Sequence, residues 1–509
     1  MLAEITDSRY QPEALRALRK VGDPKTDDLM AELRRDGEIR RLNPLLAELG
    51  NNHDLHSVAD LKQAVRNVTI DAVAAQKLIN WIDEEMALPV LDTEKLARAS
   101  KLFIEHGPVI ALLLLTASLV SAYATPVGAS TLRLTYRLEH DVRRRVGETA
   151  QFVLANMDLQ GFDPHGGNAL PTILKIRLLH AAIRCAIEDY SQNAFHTSWA
   201  NVLHGKVAAQ VPAPEVSRLV DSDERPIPRE DELGALMSFS YVVLEGLPRL
   251  GIYLEEADQE AYLYHWCIVG LKLGIPAELL PKNLDEARQL KEAIWRDRAY
   301  PGTEDGIALT QATLNMFRHD YPGKVFTMFH GDPPDWFNGL VTAVLRQAVG
   351  AELADQMGAP RSYFWDLLLA PIMRPVIALF NWAAHWFFRK PVEEVARRLV
   401  VAGLQRGRED VAPEPAGDPA EMQAREDGGG VAETRYQPLF TLPTSLGDHW
   451  ARAGMLTQHD KPLWVLGSVR WGGVTVVRRG QFLANKGSST VIAGFNRVRR
   501  RSQAPRPPT

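Results

Sequence analysis

Few residues in this chain of 509 have the type and setting to do chemistry, and the first is His180. It interrupts the apolar stretch LPTILKIRLLHAAIRCAI, residues 170–187. Written as a helix, Ile173, Ile176, His180, Ile183 and Ile187 fall on one stripe at the three-and-four spacing of a buried face. An imidazole in an apolar wall is either a core residue with its ring nitrogens satisfied locally, or an axial ligand to a flat, apolar, iron-bearing cofactor. Arg177 lies three residues before the histidine and Arg184 four after it. Cations there suit porphyrin propionates, and they equally suit ordinary acids.

A second polar pair interrupts TYRLEHDVRRRVGETAQFVLANMD, where Leu138, Val142, Arg145, Thr149 and Phe152 share a helical face. A guanidinium turned inward costs free energy unless a partner receives it. Arg145 is thus either half of a structural ion pair or, with Thr149, a donor pair facing dioxygen or a cofactor carboxylate. Arg143 and Arg144 read as the solvated side of the same helix. His265, in YHWC, is the rival axial ligand or a satisfied core histidine, and His106 before Gly-Pro marks a helix boundary. His53 and His56 near Asp54 sit in a loop with too few ligands for a metal.

Other chemistries lack their motifs. The HGG of GFDPHGGNALPT has no GxSxG to serve, and there is no Walker loop, GxGxxG, HExxH or EF-hand loop. Serine-hydrolase, phosphate-cradling and zinc-hydrolase readings therefore fall away. The net charge of -5 disfavours a general nucleic-acid role. Cys185 and Cys267 are the two cysteines and lack CxxC spacing, which fits a reducing compartment. The first residues hold early acids and no apolar h-region, so the expected location is cytoplasmic.

The elements that must position these residues follow from patterning. Residues 1–95 read as short charged helices forming an N-terminal layer, among them DDLMAELRRDGEIRRL and DAVAAQKLINWIDEEM. From Leu96 an apolar helix runs to a stop before Pro126, with Ala117, Ser118, Ser121 and Ala122 permitting close approach. Its sixteen uncharged residues from Val109 to Ala124 are short for a span and read as a core helix. After a charged, proline-containing loop from Pro212 to Glu230 come two apolar helices, DELGALMSFSYVVLEGLPRLG and ADQEAYLYHWCIVGLKLG. Helices continue to Gln356, with loops at YPGTEDG and HGDPPDW, and apolar helices occupy 351–405. There Pro375 to Phe388, fourteen uncharged residues with aromatics and basic flanks, suits either peripheral membrane contact or another core helix. Residues 406–434 read as a flexible linker, and 435–509 as a basic tail with three short strands in a meander. Ten Lys or Arg and no acid lie between Lys461 and Thr509.

The order and spacing of RRRVGETAQFVL, of KIRLLHAAIR with His180 thirty-one residues beyond Thr149, and of LMSFSYVVLEGLPRLGI with YLYHWCIVGLKLGI carry a resemblance. The segment from Leu96 to Gly350 resembles the haem oxygenase family that joins the latex-clearing rubber oxygenases to the fungal enzyme cleaving the farnesyl chain in mycophenolic acid synthesis. The resemblance implies an all-α, globin-like core (residues 96–350) binding haem b. His180 then matches the proximal ligand, and Arg145 and Thr149 match the distal arginine and threonine of an Arg-x-x-x-Thr pattern. The implied reaction is cleavage of an isoprenoid carbon–carbon double bond by dioxygen, giving aldehyde and ketone ends.

Two positions depart from that family. Glu148 stands where the rubber oxygenases often carry a lysine, so a lysine-capped resting form is not expected, and Ala129 stands where they carry a glutamate proposed as base, with Glu139 nearby. Glu148 either substitutes as the proton-handling residue or points to water, since helix neighbours diverge by about 100°. Two functional classes follow: a haem b oxygenase on an apolar, isoprenoid substrate, or a helical haem- or lipid-binding sensor or carrier without turnover. An oxygenase needs Arg145 and Thr149; a carrier does not.

Overall fold

The computed structural model describes residues 5–35, 57–67, 72–134, 142–163, 167–190, 223–298, 302–320, 335–362, 364–365, 463–471 and 474–482. The helices are α1 (Pro12–Leu18), α2 (Pro24–Arg35), α3 (Val58–Asn67), α4 (Ala72–Glu85), α5 (Thr93–Leu113), α6 (Leu119–Tyr123), α7 (Pro126–Leu134) and α8 (Val142–Met157). They continue as α9 (Ala169–Tyr190), α10 (Arg229–Phe239), α11 (Tyr241–Arg249), α12 (Glu256–Lys272), α13 (Leu284–Arg298), α14 (Glu304–Asp320), α15 (Asp335–Val349) and α16 (Ala351–Gln356). The chain divides into two compact units, Met1–Pro443 and Thr444–Thr509. The described part of the first contains helices and no strand.

Helix ends follow local chemistry. Pro12 opens α1 where its missing N–H costs nothing, and Asp92 caps α5 by accepting the Lys95 N–H at 3.1 Å. The axis turns 83° between Thr93–Gly107 and Val109–Tyr123, about Pro108, which has no N–H for the helix ladder. Among the described residues no single helix is long and apolar enough to cross a membrane; these two limbs pass that test only together. Ile110, Leu113, Ala117, Val120 and Tyr123 are fully buried in the second limb, as a core helix requires. Its small residues fall in or just after a π-helical turn, Leu114–Ser118, against which α10, α11 and α15 pack.

The helix carrying His180, α9, is buried along much of its length. On one side α2, α3 and α4 bring Met30, Leu33, Leu61, Val65, Leu78, Trp81 and Ile82 against Leu174, Leu178, Ala181, Ala182 and Ile183. Truncating a fully buried leucine such as Leu178 to alanine in a core of this kind costs about 2–5 kcal/mol. Both α8 and α12 also pack on α9. Behind them Phe239 of α10 stacks on Trp266 of α12 at 5.0 Å between ring centroids, with Phe152 of α8 edge-on to Phe239 at 6.1 Å.

Two expectations are modified. DELGALMSFSYVVLEGLPRLG is two helices rather than one, broken at Ser240, whose hydroxyl and N–H both donate to the Leu236 carbonyl, at 2.6 and 3.0 Å. The stripe on α9 is not uniformly buried: Ile173 and Ile183 are, while Ile176 and His180 are half-buried and the side chain of Ile187 lies outside the described residues. In the second unit two strands, β1 (Leu463–Trp471) and β2 (Val474–Phe482), pair antiparallel with Leu463 opposite Phe482 and Trp471 opposite Val474. The third anticipated strand, STVIAGF, lies outside the described residues, as do Pro375–Phe388 and the linker at 406–434.

Candidate functional site

Two buried arginines flank His180 on α9, and protein carboxylates occupy both. Arg177 donates from Nε and Nη2 to Asp23 and from Nη1 to Glu85, and its guanidinium lies 5.4 Å from the Trp81 ring centroid. Burial works against the charged Asp23, but the Arg177 guanidinium overcomes it and holds the carboxyl below its ordinary value. The backbone passes this pair at Gly274 with φ +94°, where a Cβ would come within 2.7 Å of Arg177 Nε, so only glycine meets both demands. Arg184 donates from Nε to Asp27 at 2.8 Å and from Nη1 to the Ile227 carbonyl at 3.1 Å and Glu232 at 3.4 Å. Of the two readings left open for these arginines, pairing with protein acids is the one seen here.

The carbonyl that receives Arg184 has an unusual origin. Ile227, at φ +49°, is the one non-glycine residue with positive φ among the described residues. It sits between Pro226 and Pro228, and a proline after it disfavours right-handed helical backbone. A β-branched residue in this region is strained by about 1–3 kcal/mol. The strain is held by what surrounds it: Arg184 on its carbonyl, and the next residue but one, Arg229, whose N–H donates to Val21 at 2.7 Å. This turn launches α10, and the first turn of α10 faces α9.

There Glu232 comes to His180. Its Oε1 lies 3.8 Å from His180 Nδ1, while Oε2 accepts a hydrogen bond from Arg229. The Glu232 side chain is 7% exposed and the His180 side chain 30% exposed. Among the described residues no hydrogen bond engages His180 Nε2. The imidazole thus has a carboxylate behind one nitrogen and leaves the other, with part of the ring, accessible. His265 is different in every respect. It is 1% exposed, its Nε2 donates to the Asn156 carbonyl at 2.9 Å, and Phe162 meets it edge-on at 5.5 Å. Burial, partly opposed by that hydrogen bond, pushes its pKa down to about 4, so it is a neutral core histidine.

Arg145, Glu148 and Thr149 all lie on α8, which packs on α9. Thr149 is half-buried; the side chains of Arg145 and Glu148 lie outside the described residues, as do Glu139, His53, Asp54 and His56. Ala129 is fully buried on α7. Among the described residues no group of three or more His, Cys, Asp or Glu is placed to hold a metal ion. A lone accessible imidazole would suit a metal whose remaining donors come with a bound cofactor rather than from further protein side chains.

The carboxylates were missed in the sequence. Glu230, Asp231 and Glu232 sit in the first turn of α10, where acids are usually solvated, yet Glu230 is fully buried between Arg19 and Arg298. Arg298 also lies 3.1 Å from Asp231, without hydrogen-bond alignment. Burial, opposed by Arg298 and reinforced by Glu230, pushes the Asp231 carboxyl up to about 7. Only the flanking PIPR, which stiffens the approach to α10, hinted at a built turn.

Comparison with known proteins follows the same lines. The rubber oxygenase of Streptomyces sp. strain K30 is 24% identical over 280 residues, 53% of this chain and 58% of that protein. The aligned segment thus spans a little over half the length of this relative. The solved structure of latex clearing protein LCP in its closed state superposes with a TM-score of 0.54 at 21% identity, covering 75% of this chain and 91% of that one, which establishes a shared helical fold. The family model of the ER-bound oxygenase mpaB/B'/rubber oxygenase catalytic domain matches residues 103–382, more than half of the chain, and includes α8, α9 and α10. The chain belongs to the mpaB/B' and rubber oxygenase catalytic-domain family.

Proposed function

We propose that this protein is a haem b-dependent oxygenase that cleaves a carbon–carbon double bond of an apolar isoprenoid with dioxygen, both oxygen atoms ending in the aldehyde and ketone products. The observation that supports this best is His180: a half-exposed imidazole on a largely buried helix, backed by a carboxylate, inside the stretch that matches the oxygenase family. Haem b, when bound, supplies the iron that reacts with dioxygen. In this reading His180 would hold the iron through Nε2. On α8, Arg145 and Thr149 are four residues apart, about one helical turn, and in this reading a guanidinium and a hydroxyl would steady negative charge developing on oxygen. Glu148 is the candidate for moving the proton. Arg177 and Arg184 stay with their carboxylates and act on the wall rather than on the propionates.

The test begins with the absorption spectrum of protein expressed with ample haem. A Soret band is expected, lost in His180→Ala. Arg145→Ala should retain the band and lose oxygen consumption with polyisoprenoid. A colourless wild-type protein would refute the proposal, and a red protein inert toward every isoprenoid offered would favour a sensor or carrier.

A further inference from the structure

The Glu232 carboxylate is held in place by two buried cations. Arg229 takes Oε2, and Arg184, itself anchored on Asp27 and on the Ile227 carbonyl, takes Oε1. Both arginines are 1% exposed. Turning Glu232 away would leave two buried guanidiniums short of an acceptor, so its position is fixed from behind. The same Oε1 is the carboxylate atom 3.8 Å from His180 Nδ1. A ring nitrogen facing a carboxylate oxygen is favoured as N–H, because a lone pair there would meet another lone pair. A modest rotation of the half-exposed ring closes the gap to hydrogen-bond distance.

From this geometry we infer that Glu232 is a positioning residue that fixes His180 as its Nδ1–H tautomer, leaving the Nε2 lone pair directed away from the wall as the donor nitrogen, and that Arg184 and Arg229 act through Glu232. The inference rests on the haem reading above for its consequence, but not for its geometry. A carboxylate behind a ligating imidazole makes the ring a stronger electron donor and orients it, and removing such a partner typically costs about 10–100-fold in affinity for the ligated group.

The tautomer is read in the haem-free protein, with histidine nitrogens labelled and their chemical shifts recorded near neutral pH. The His180 signal is assigned by its loss in His180→Ala. Its Nδ1 is expected to carry the proton; an Nε2–H tautomer at His180 overturns the inference, and no Glu232 variant is needed to see it. In the haem-loaded protein, Glu232→Gln keeps the shape and removes the charge. The iron–histidine stretching frequency should fall, the reduction potential should rise, and haem should bind about 10–100-fold more weakly. Unchanged stretching frequency and potential in a red Glu232→Gln protein would overturn the inference while leaving the proposed function standing. Failure of that function is read separately, from the absence of a Soret band in the wild type.

Discussion

Replacing Asp231 with asparagine should stabilise the protein at alkaline pH and not at acid pH. Around Asp231, Arg19 and Arg298 serve Glu224, Glu230, Asp231 and Asp297, with Arg16 also on Asp297, and Asp231 is the member that receives no hydrogen bond. Burial raises its carboxyl from 3.8 to about 7 in the folded protein. The folded state therefore holds this proton more tightly than the unfolded chain. Its contribution to stability is fully present below the unfolded value of 3.8, declines as pH rises, and is lost once pH passes the folded value near 7. A shift from 3.8 to about 7 corresponds to a loss on the order of 4 kcal/mol, at about 1.4 kcal/mol per pH unit. An asparagine side chain in this position cannot ionise and escapes the loss. Urea unfolding of haem-free wild type and Asp231→Asn, followed by tryptophan fluorescence at constant ionic strength, should give midpoints that nearly coincide at about pH 4 and separate by pH 8 in favour of the variant. A constant offset between those pH values, or a variant less stable at pH 8, would refute the argument.

The other predictions concern α9 and its neighbours. Arg177→Met leaves buried Asp23 without the guanidinium that bonds it, while Glu85 keeps Lys25 at 2.7 Å, and should cost about 3–5 kcal/mol; adding Asp23→Leu should cost less than the sum of the single changes by about 1 kcal/mol or more, both from denaturation midpoints. His265→Leu removes the donor to the Asn156 carbonyl and should cost about 1–3 kcal/mol in the same assay. It should leave the haem content per protein unchanged, whereas a loss matching that of His180→Ala would make His265 a ligand.

What the sequence revealed depended on how local the cause was. Apolar periodicity placed α8 and α9, apolar composition placed α12, and Pro126 marked a helix boundary, because spacing and a missing N–H act within a few residues. His180 was legible as a polar residue in an apolar run, and His265 as a core histidine crowded by aromatics. Glu232 was not legible. Its significance comes from Arg184, forty-eight residues earlier, and from Ile227, whose conformation turns α10 toward α9. A carboxylate in the first turn of a helix ordinarily meets water, and nothing nearby says that this one meets two guanidiniums instead. The break at Ser240 had a local cause, but a single hydroxyl bonding back to Leu236 does not disturb an apolar pattern.

The wall behind His180 is built from more than the segment that matches the oxygenase family. That match begins at residue 103, yet Asp23, Asp27 and Glu85, which neutralise Arg177 and Arg184, all lie before it. Gly22 lies against the second pair, where a Cβ would come within 2.8 Å of Arg184 Nε. The N-terminal helices thus supply two things to α9: apolar cover from Met30, Leu61, Leu78 and Ile82, and countercharge for both of its buried arginines. Those contributions are coupled. An arginine needs its acid only because the apolar cover has removed water, and the cover can close over it only because the acid is there. With Arg184 neutralised by Asp27, the guanidinium can still direct one N–H to Glu232 and hold it beside His180. The N-terminal layer is in this sense part of the site, two steps removed from the imidazole whose nitrogen it orients.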